Sequence, residues 1–165
     1  MSGKVKFLFL DVDGVLNGYG TTNETTPTGF TFVEDRLVEK LKKILDATEA
    51  KVVLSSDWRF EHPRFTQEAM GEDLRLLLEK LAEFRIELYG ITSRSYPHRG
   101  WEIDNWLEDQ SWKYGGLDNI SFVILDDLPA YEFMGFEDHL VHTDEYYGLT
   151  DEDVEKAIKI LNEVE

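Results

Sequence analysis

The sequence contains no cysteine, which excludes both a disulfide framework and a thiolate metal site. That suits a reducing compartment, and a cytoplasmic location is the expectation. Long apolar runs are also lacking. The one N-terminal run, Val5 to Leu10, is broken at once by Asp11 and Asp13. It is too short for a signal-peptide core and far too short to span a bilayer, so the reading is a soluble, unprocessed chain with no membrane partner. Basic residues are scarce: 17 Lys and Arg stand against 34 Asp and Glu, a formal net charge of −17. Such a balance repels nucleic-acid backbones at long range, although a local basic patch can outvote it. It suits a protein that holds a divalent cation. No repeat, low-complexity tail or interdomain linker is visible, and 165 residues make one ordinary domain, 1–165.

What is present is an alternation. Lys4–Leu10, Lys51–Leu54, Ile86–Ile91, Ile120–Leu125 and His139–His142 read as mostly buried strands. Helical spacing of apolar residues marks Asp35–Leu45, Gly71–Phe84, Trp101–Trp112 and Thr150–Val164. Thr150 followed by Asp153 is an acidic variant of the capping box and gives the last helix a defined start. Strands alternating with helices predict an α/β fold, doubly wound, with a mostly parallel five-stranded sheet covered on both faces. Gly18–Val33 departs from the alternation. It is rich in Gly and Thr, and Pro27-Thr28-Gly29 is a turn signal, so a flap hairpin is expected there.

Asp11-Val12-Asp13-Gly14-Val15 ends the first strand, and Asp126-Asp127 ends the fourth. In an open parallel sheet, ligands bind beyond the carboxyl ends of the strands, where strand order reverses. If those two strands are neighbours, four carboxylates meet at one edge. Such a cluster cannot stay ionised without a cation, and hard oxygen ligands suit magnesium. A calcium-loop reading fails, because Gly14 comes too early and no Glu closes a twelve-residue loop. One carboxylate can attack phosphorus, and a second can protonate the leaving oxygen and then activate water. Phosphoryl transfer also needs cations and donors around the equatorial oxygens. Ser55 and Ser56 end the second strand, and Arg99 begins the helix before the fourth.

Asp11-Val12-Asp13-Gly14-Val15, Leu54-Ser55-Ser56, Arg99 and Leu125-Asp126-Asp127 resemble the four ordered motifs of the haloacid dehalogenase (HAD) superfamily. The resemblance implies a Rossmann-like core, Asp11 as nucleophile and Asp13 as general acid/base. It implies Mg2+ held by the Asp11 carboxylate, the Asp13 backbone carbonyl and Asp126, with Asp127 close by. It gives Ser55 the phosphate-binding hydroxyl, with Ser56 as its rival, and Arg99 the place of the third-motif cation, with Arg94 as its rival. Asn17, Ser56 and Arg59 are the expected substrate-binding residues. An acid at position 13 resembles the phosphatase and phosphotransferase branches. The gaps after the first and second motifs leave no room for a cap domain, so a capless member is implied.

Ser55-Ser56-Asp57-Trp58-Arg59, Arg99-Gly100-Trp101-Glu102-Ile103, Thr143-Asp144 and Gly148-Leu149-Thr150 resemble one subgroup. It contains the HAD-like domains of RNA-repair proteins and, more distantly, polynucleotide 3′-phosphatase domains. The expected function is phosphomonoester hydrolysis through an aspartyl-phosphate on Asp11. The expected substrate is a nucleotide, a phosphorylated metabolite or a nucleic-acid terminal phosphate, and a neighbouring subunit of a homo-oligomer could serve as lid. Arg59, His62 and Arg64 after the second strand, and Arg94, His98 and Arg99 after the third, would form a basic rim. The alternative is a degenerate HAD fold kept as a binding module. A receiver domain is set aside, because the third strand ends in Gly90-Ile91-Thr92-Ser93 without an acid. The four tryptophans read as core or helix-packing residues, with Trp58 the exception beside the phosphate site.

Overall fold

The computed structural model describes residues 3–20, 24–26, 31–59, 67–93 and 97–163, without the side chains of 59 and 67–71. Five short runs rich in β-branched and aromatic residues form β1 (Val5–Leu10), β2 (Lys51–Leu54), β3 (Leu88–Ile91), β4 (Ile120–Asp126) and β5 (Leu140–His142). They make one sheet in the order β3-β2-β1-β4-β5, and every pairing is parallel. The expectation of a mostly parallel sheet is thus sharpened to a wholly parallel one. No two of these strands are joined by a tight turn, so each connection can return the chain to the same edge. The helices are α1 (Asp35–Thr48), α2 (Gln67–Glu83), α3 (Arg99–Ser111) and α4 (Asp151–Asn162).

Two-residue alternation along the central strands sends side chains to opposite faces. Leu8 and Leu10 of β1 and Val123 and Leu125 of β4 join Leu37, Val38, Leu41 and Ile44 of α1, Leu77 and Leu81 of α2, and Val154, Ala157 and Leu161 of α4. Phe7 and Phe9 with Phe122 and Ile124 instead meet Ile103 and Leu107 of α3. The sheet is therefore covered on both sides. Thr150 caps α4 with the reciprocal capping box: its side chain accepts from the Asp153 N–H, and the Asp153 carboxylate accepts from the Thr150 N–H.

Several boundaries differ from the sequence expectation for local reasons. β3 starts at Leu88 rather than Ile86, because the end of α2 occupies the intervening residues. Arg85 takes φ 60° and Ile86 donates its N–H back to Leu81 O at 3.0 Å. α1 runs on to Thr48, whose hydroxyl bonds Ile44 O at 2.7 Å, and stops at Glu49 in the left-handed region. Trp58 is buried and Trp106 packs under the sheet, whereas Trp101 and Trp112 are exposed. Ile103 and Leu107 hold the inward stripe of α3, and Trp101 falls on the opposite side of that helix. Within the flap, Thr25 and Thr31 form an antiparallel bridge, as a hairpin requires. Its expected turn, Pro27–Gly29, lies outside the described residues, as do His62, Arg64 and Arg94.

Residues 11–34 and 55–66 separate β1 from α1 and β2 from α2, too few in either place for a folded cap. Among the described residues, no helix is long and apolar enough to cross a membrane.

Candidate active site

Strand register brings the acids together. Leu10 of β1 pairs with Leu125 of β4, so Asp11 and Asp126 are the next residues on adjacent strands. The Asp11 N–H donates to Leu125 O at 3.0 Å, extending the ladder one step into the site. Asp11, Asp126 and Asp127 each turn a carboxylate oxygen to one place, and the three atoms lie within 4.8 Å of one another. One cation can touch all three. Gly14 permits this closeness. It sits at φ 78°, and a Cβ there would meet Asp127 Oδ2 at 2.2 Å. Both the backbone conformation and the space demand glycine.

Charge at this edge is poorly compensated. Burial, then the neighbouring Asp126, pushes the Asp11 carboxyl well above its ordinary range. Arg99 pulls against this, and Asp127 and Asp13 add to it. Burial also raises Asp126, to about 6, even though Arg99 and the Leu128 N–H favour its anion. Asp127 is raised by burial as well. The counter-charge is Arg99, whose side chain is only 8% exposed at the start of α3. Its Nη1 donates to Ser55 O and to Asp126 Oδ2 (3.1 Å) and lies 3.6 Å from Asp11 Oδ1. Nη2 reaches Asp57 at 3.4 Å, and Nε reaches the buried Glu102 at 3.5 Å. Burial works against the guanidinium charge, but Asp126, Asp11, Asp57 and Glu102 together raise its pKa.

Asp13 has a different setting. Its carboxylate is not one of the three converging groups. Asn17 Nδ2 and Trp58 Nε1 both donate to Oδ1, at 3.0 and 3.1 Å. A proton carried by Asp13 therefore resides on Oδ2. Burial raises the Asp13 pKa, and these two hydrogen bonds restrain the rise. Asn17 also accepts the Gly14 N–H (2.9 Å) and donates to Thr31 O (2.8 Å), tying the turn after β1 to the flap.

The two serines also differ. Ser56 Oγ accepts the Trp58 N–H at 3.3 Å. Ser55 Oγ is buried without a hydrogen-bond partner, although the Ser55 N–H extends the sheet to Leu10 O. A buried hydroxyl left unpaired costs about 1–3 kcal/mol and is the kind of vacancy a ligand oxygen fills. Arg59 closes the short 3-10 turn Asp57–Arg59, and its side chain lies outside the described residues. The basic rim is therefore described only at His98 and Arg99. His98 turns to Glu132 at 3.1 Å, and Arg99 turns inward.

Sequence reasoning missed three positioning groups. Thr143, after β5, donates its hydroxyl to Gly14 O (2.7 Å) and its N–H to Asp126 O (3.0 Å), so it clasps both acidic segments. Glu102 holds the far side of the Arg99 fork. Glu132 accepts the Arg99 N–H at 3.2 Å, standing in for the N-cap that His98 does not provide. The Thr143-Asp144 and Arg99–Ile103 resemblances carried a signal for the first two, but no role.

Comparison with known families matches residues 7–154 to the HAD domain in Swiss Army Knife RNA repair proteins. No curated protein gives a significant match to the chain.

Proposed function

The chain belongs to the family of HAD domains in Swiss Army Knife RNA repair proteins, and from that premise we propose that it is a Mg2+-dependent phosphomonoesterase. The observation that carries the reading is the convergence of Asp11, Asp126 and Asp127 within 4.8 Å at the sheet edge, with all three pKa values raised. Three crowded carboxylates that resist ionisation fit a divalent cation with oxygen ligands. The ligands would be the Asp11 and Asp126 carboxylates and the Asp13 backbone carbonyl, with Asp127 adjacent. When bound, Mg2+ would offset the negative charge shared between these carboxylates and a substrate phosphate.

The chain's own groups divide the chemistry. An Asp11 carboxylate oxygen attacks phosphorus, and the ester P–O bond breaks as the aspartyl-phosphate forms. Asp13 donates the proton on Oδ2 to the departing oxygen. It then takes a proton from water, whose oxygen attacks phosphorus, breaks the Asp11–phosphate bond and releases phosphate. The raised pKa of Asp13 supports the acid role, and its partners Asn17 and Trp58 fix which oxygen holds the proton. The unpartnered Ser55 hydroxyl is suited to an equatorial phosphate oxygen, with Ser56 and Arg59 as the nearby binding residues. Arg99 orients Asp11 and Asp126 and supplies the fixed positive charge.

The test is phosphate release from p-nitrophenyl phosphate and a panel of nucleotides, with Mg2+ and with EDTA. Turnover should require Mg2+, fall at least about a thousandfold in Asp11→Asn and about 10²–10⁴-fold in Asp13→Asn. Equal inactivity of wild type and Asp11→Asn on every substrate, with no Asp11-dependent Mg2+ binding by calorimetry, would leave a degenerate binding fold instead.

A further inference from the structure

A cleft of about 960 Å³ shares Asp127 with the acidic cluster and is lined beside it by Thr143. Its outer wall is aromatic. Tyr19 and Tyr146 pack edge to face with centroids 5.1 Å apart, and Tyr146 and Tyr147 do so at 4.8 Å. The three residues remain 61%, 42% and 58% exposed, so burial does not account for their grouping.

The backbone is built to present them. Tyr19 N–H donates to Glu145 O at 3.2 Å, and Gly20 N–H donates to Tyr146 O at 3.1 Å. A Cβ at Gly18 would strike Tyr146 O at 2.3 Å, and one at Gly20 would strike the Tyr146 ring at 2.1 Å. Glycine at 18 lets this segment lie against the backbone of the turn at 144–148, and glycine at 20 leaves room for the Tyr146 ring where it stands. Asp144 in turn accepts the N–H of Tyr146 at 2.7 Å and of Tyr147 at 3.3 Å, fixing that turn.

Resting on the hydrolase reading above, we infer that this cleft is a nucleobase subsite and that the substrate is a mononucleotide, its phosphate at Asp11 and its base against the tyrosines. Aromatic faces stack bases of any sequence. The wall also carries Asp144 and Glu145 beside Asp127, and this local negative charge repels the further phosphates of a polynucleotide. A ligand with one phosphate, whose leaving group is a neutral nucleoside departing through its ribose oxygen, satisfies both halves of the site.

Adenosine 5′-monophosphate and ribose 5-phosphate share the phosphorylated sugar and differ at C1′, where one carries the base and the other a hydroxyl. Wild type should hydrolyse the nucleotide with a kcat/KM about tenfold or more above the sugar phosphate, the gain lying in KM. Tyr19→Ser and Tyr147→Ser should each shrink that ratio severalfold, whereas a folding defect would lower both substrates together. Equal turnover of the two by wild type overturns the inference. So does preference for a 3′-phosphorylated decanucleotide over the mononucleotide, which would assign the cleft to a nucleic-acid end. If no phosphate ester is cleaved, the hydrolase reading fails, and the subsite is judged by binding alone. Titration of adenosine 5′-monophosphate into the full chain with Mg2+, followed by NMR, should then shift the tyrosine ring signals and weaken in Tyr19→Ser. No saturable shift, or one indifferent to Tyr19, overturns it.

Discussion

Arg99→Met tests whether one buried guanidinium holds the acidic edge together. Methionine keeps much of the stem's volume and removes the charge. In the wild type, Nη1 bonds Ser55 O and Asp126 and approaches Asp11, in a side chain that is 8% exposed. Breaking a buried ion pair from one side leaves an uncompensated charge and costs about 3–5 kcal/mol. For a chain of this size each kcal/mol moves Tm by roughly 2–4 °C, so the expected fall in EDTA near neutral pH is about 6–20 °C. Part of this is relieved on acidification, because Asp11 and Asp126 can protonate in place of being paired. Millimolar Mg2+ should relieve it too, by bringing positive charge to the same carboxylates. Arg75→Met is the control: Arg75 pairs with Glu72 and Glu79 on the exposed side of α2, where solvent screens the pairing, so its loss should leave Tm nearly unchanged. Thermal unfolding of both variants with EDTA and with Mg2+ decides the matter. A Tm for Arg99→Met within about 2 °C of wild type in EDTA refutes the reasoning. A large loss that neither acid nor Mg2+ reduces assigns the cost to packing rather than charge.

Two further outcomes follow from the same electrostatics. Asp126 is held near 6 when folded against an ordinary 3.8, so between those values the folded chain binds more protons than the unfolded one. Its contribution is fully present below about 3.8 and is lost as pH rises through about 6. Asp126→Asn should therefore raise Tm relative to wild type in EDTA at neutral pH, with the difference vanishing near pH 4. An Asn variant equally destabilised at both pH values would contradict this. Trp58→Phe removes a hydrogen bond that restrains the Asp13 pKa, so that pKa should rise further. The limb of the kcat–pH profile set by Asp13 should move to higher pH, and an unmoved limb with intact Mg2+ binding would count against Asp13 as the proton carrier.

The sequence made the central architecture legible because the signals were local. Apolar runs ending in Asp11 and Asp126 marked both strands and the edge at which they stop, and the Thr150–Asp153 capping box was readable from spacing alone. What escaped were groups whose partners are distant in the chain. Thr143 acts on Gly14, Glu132 on the start of α3, and Tyr19 on the turn at 144–148. None of these contacts leaves a periodicity, because each depends on two loops meeting beyond the sheet. The error at β3 has the same origin: Ile86 suits a strand by type, but the helix before it needed that residue's N–H to finish its last turn. The different settings of Ser55 and Ser56 needed coordinates as well. Adjacent residues in an extended chain point oppositely, and composition does not say which hydroxyl finds a partner and which is left without one.

Several departures from ordinary packing rules meet at one edge of the sheet. Elsewhere the sheet faces are filled by well-buried apolar side chains, and α4 is capped reciprocally. At the carboxyl edge of β1, β2 and β4 the reverse holds. Three carboxylates crowd together, a buried hydroxyl has no partner, and Gly14 adopts a left-handed backbone against Asp127. The crowded carboxylates and the unpaired hydroxyl cost stability when the site is empty. A fold under selection for stability alone could remove the crowding with an Asn and the unpaired hydroxyl with an Ala, so their joint presence calls for something that only the intact set provides. A cation held by Asp11 and Asp126, with a phosphate oxygen at Ser55, would satisfy the polar vacancies at this edge. The same ligands would leave the core untouched. These costs fall on groups that a substrate and its cation can relieve, which is the expected pattern when local inconsistency is retained for chemistry.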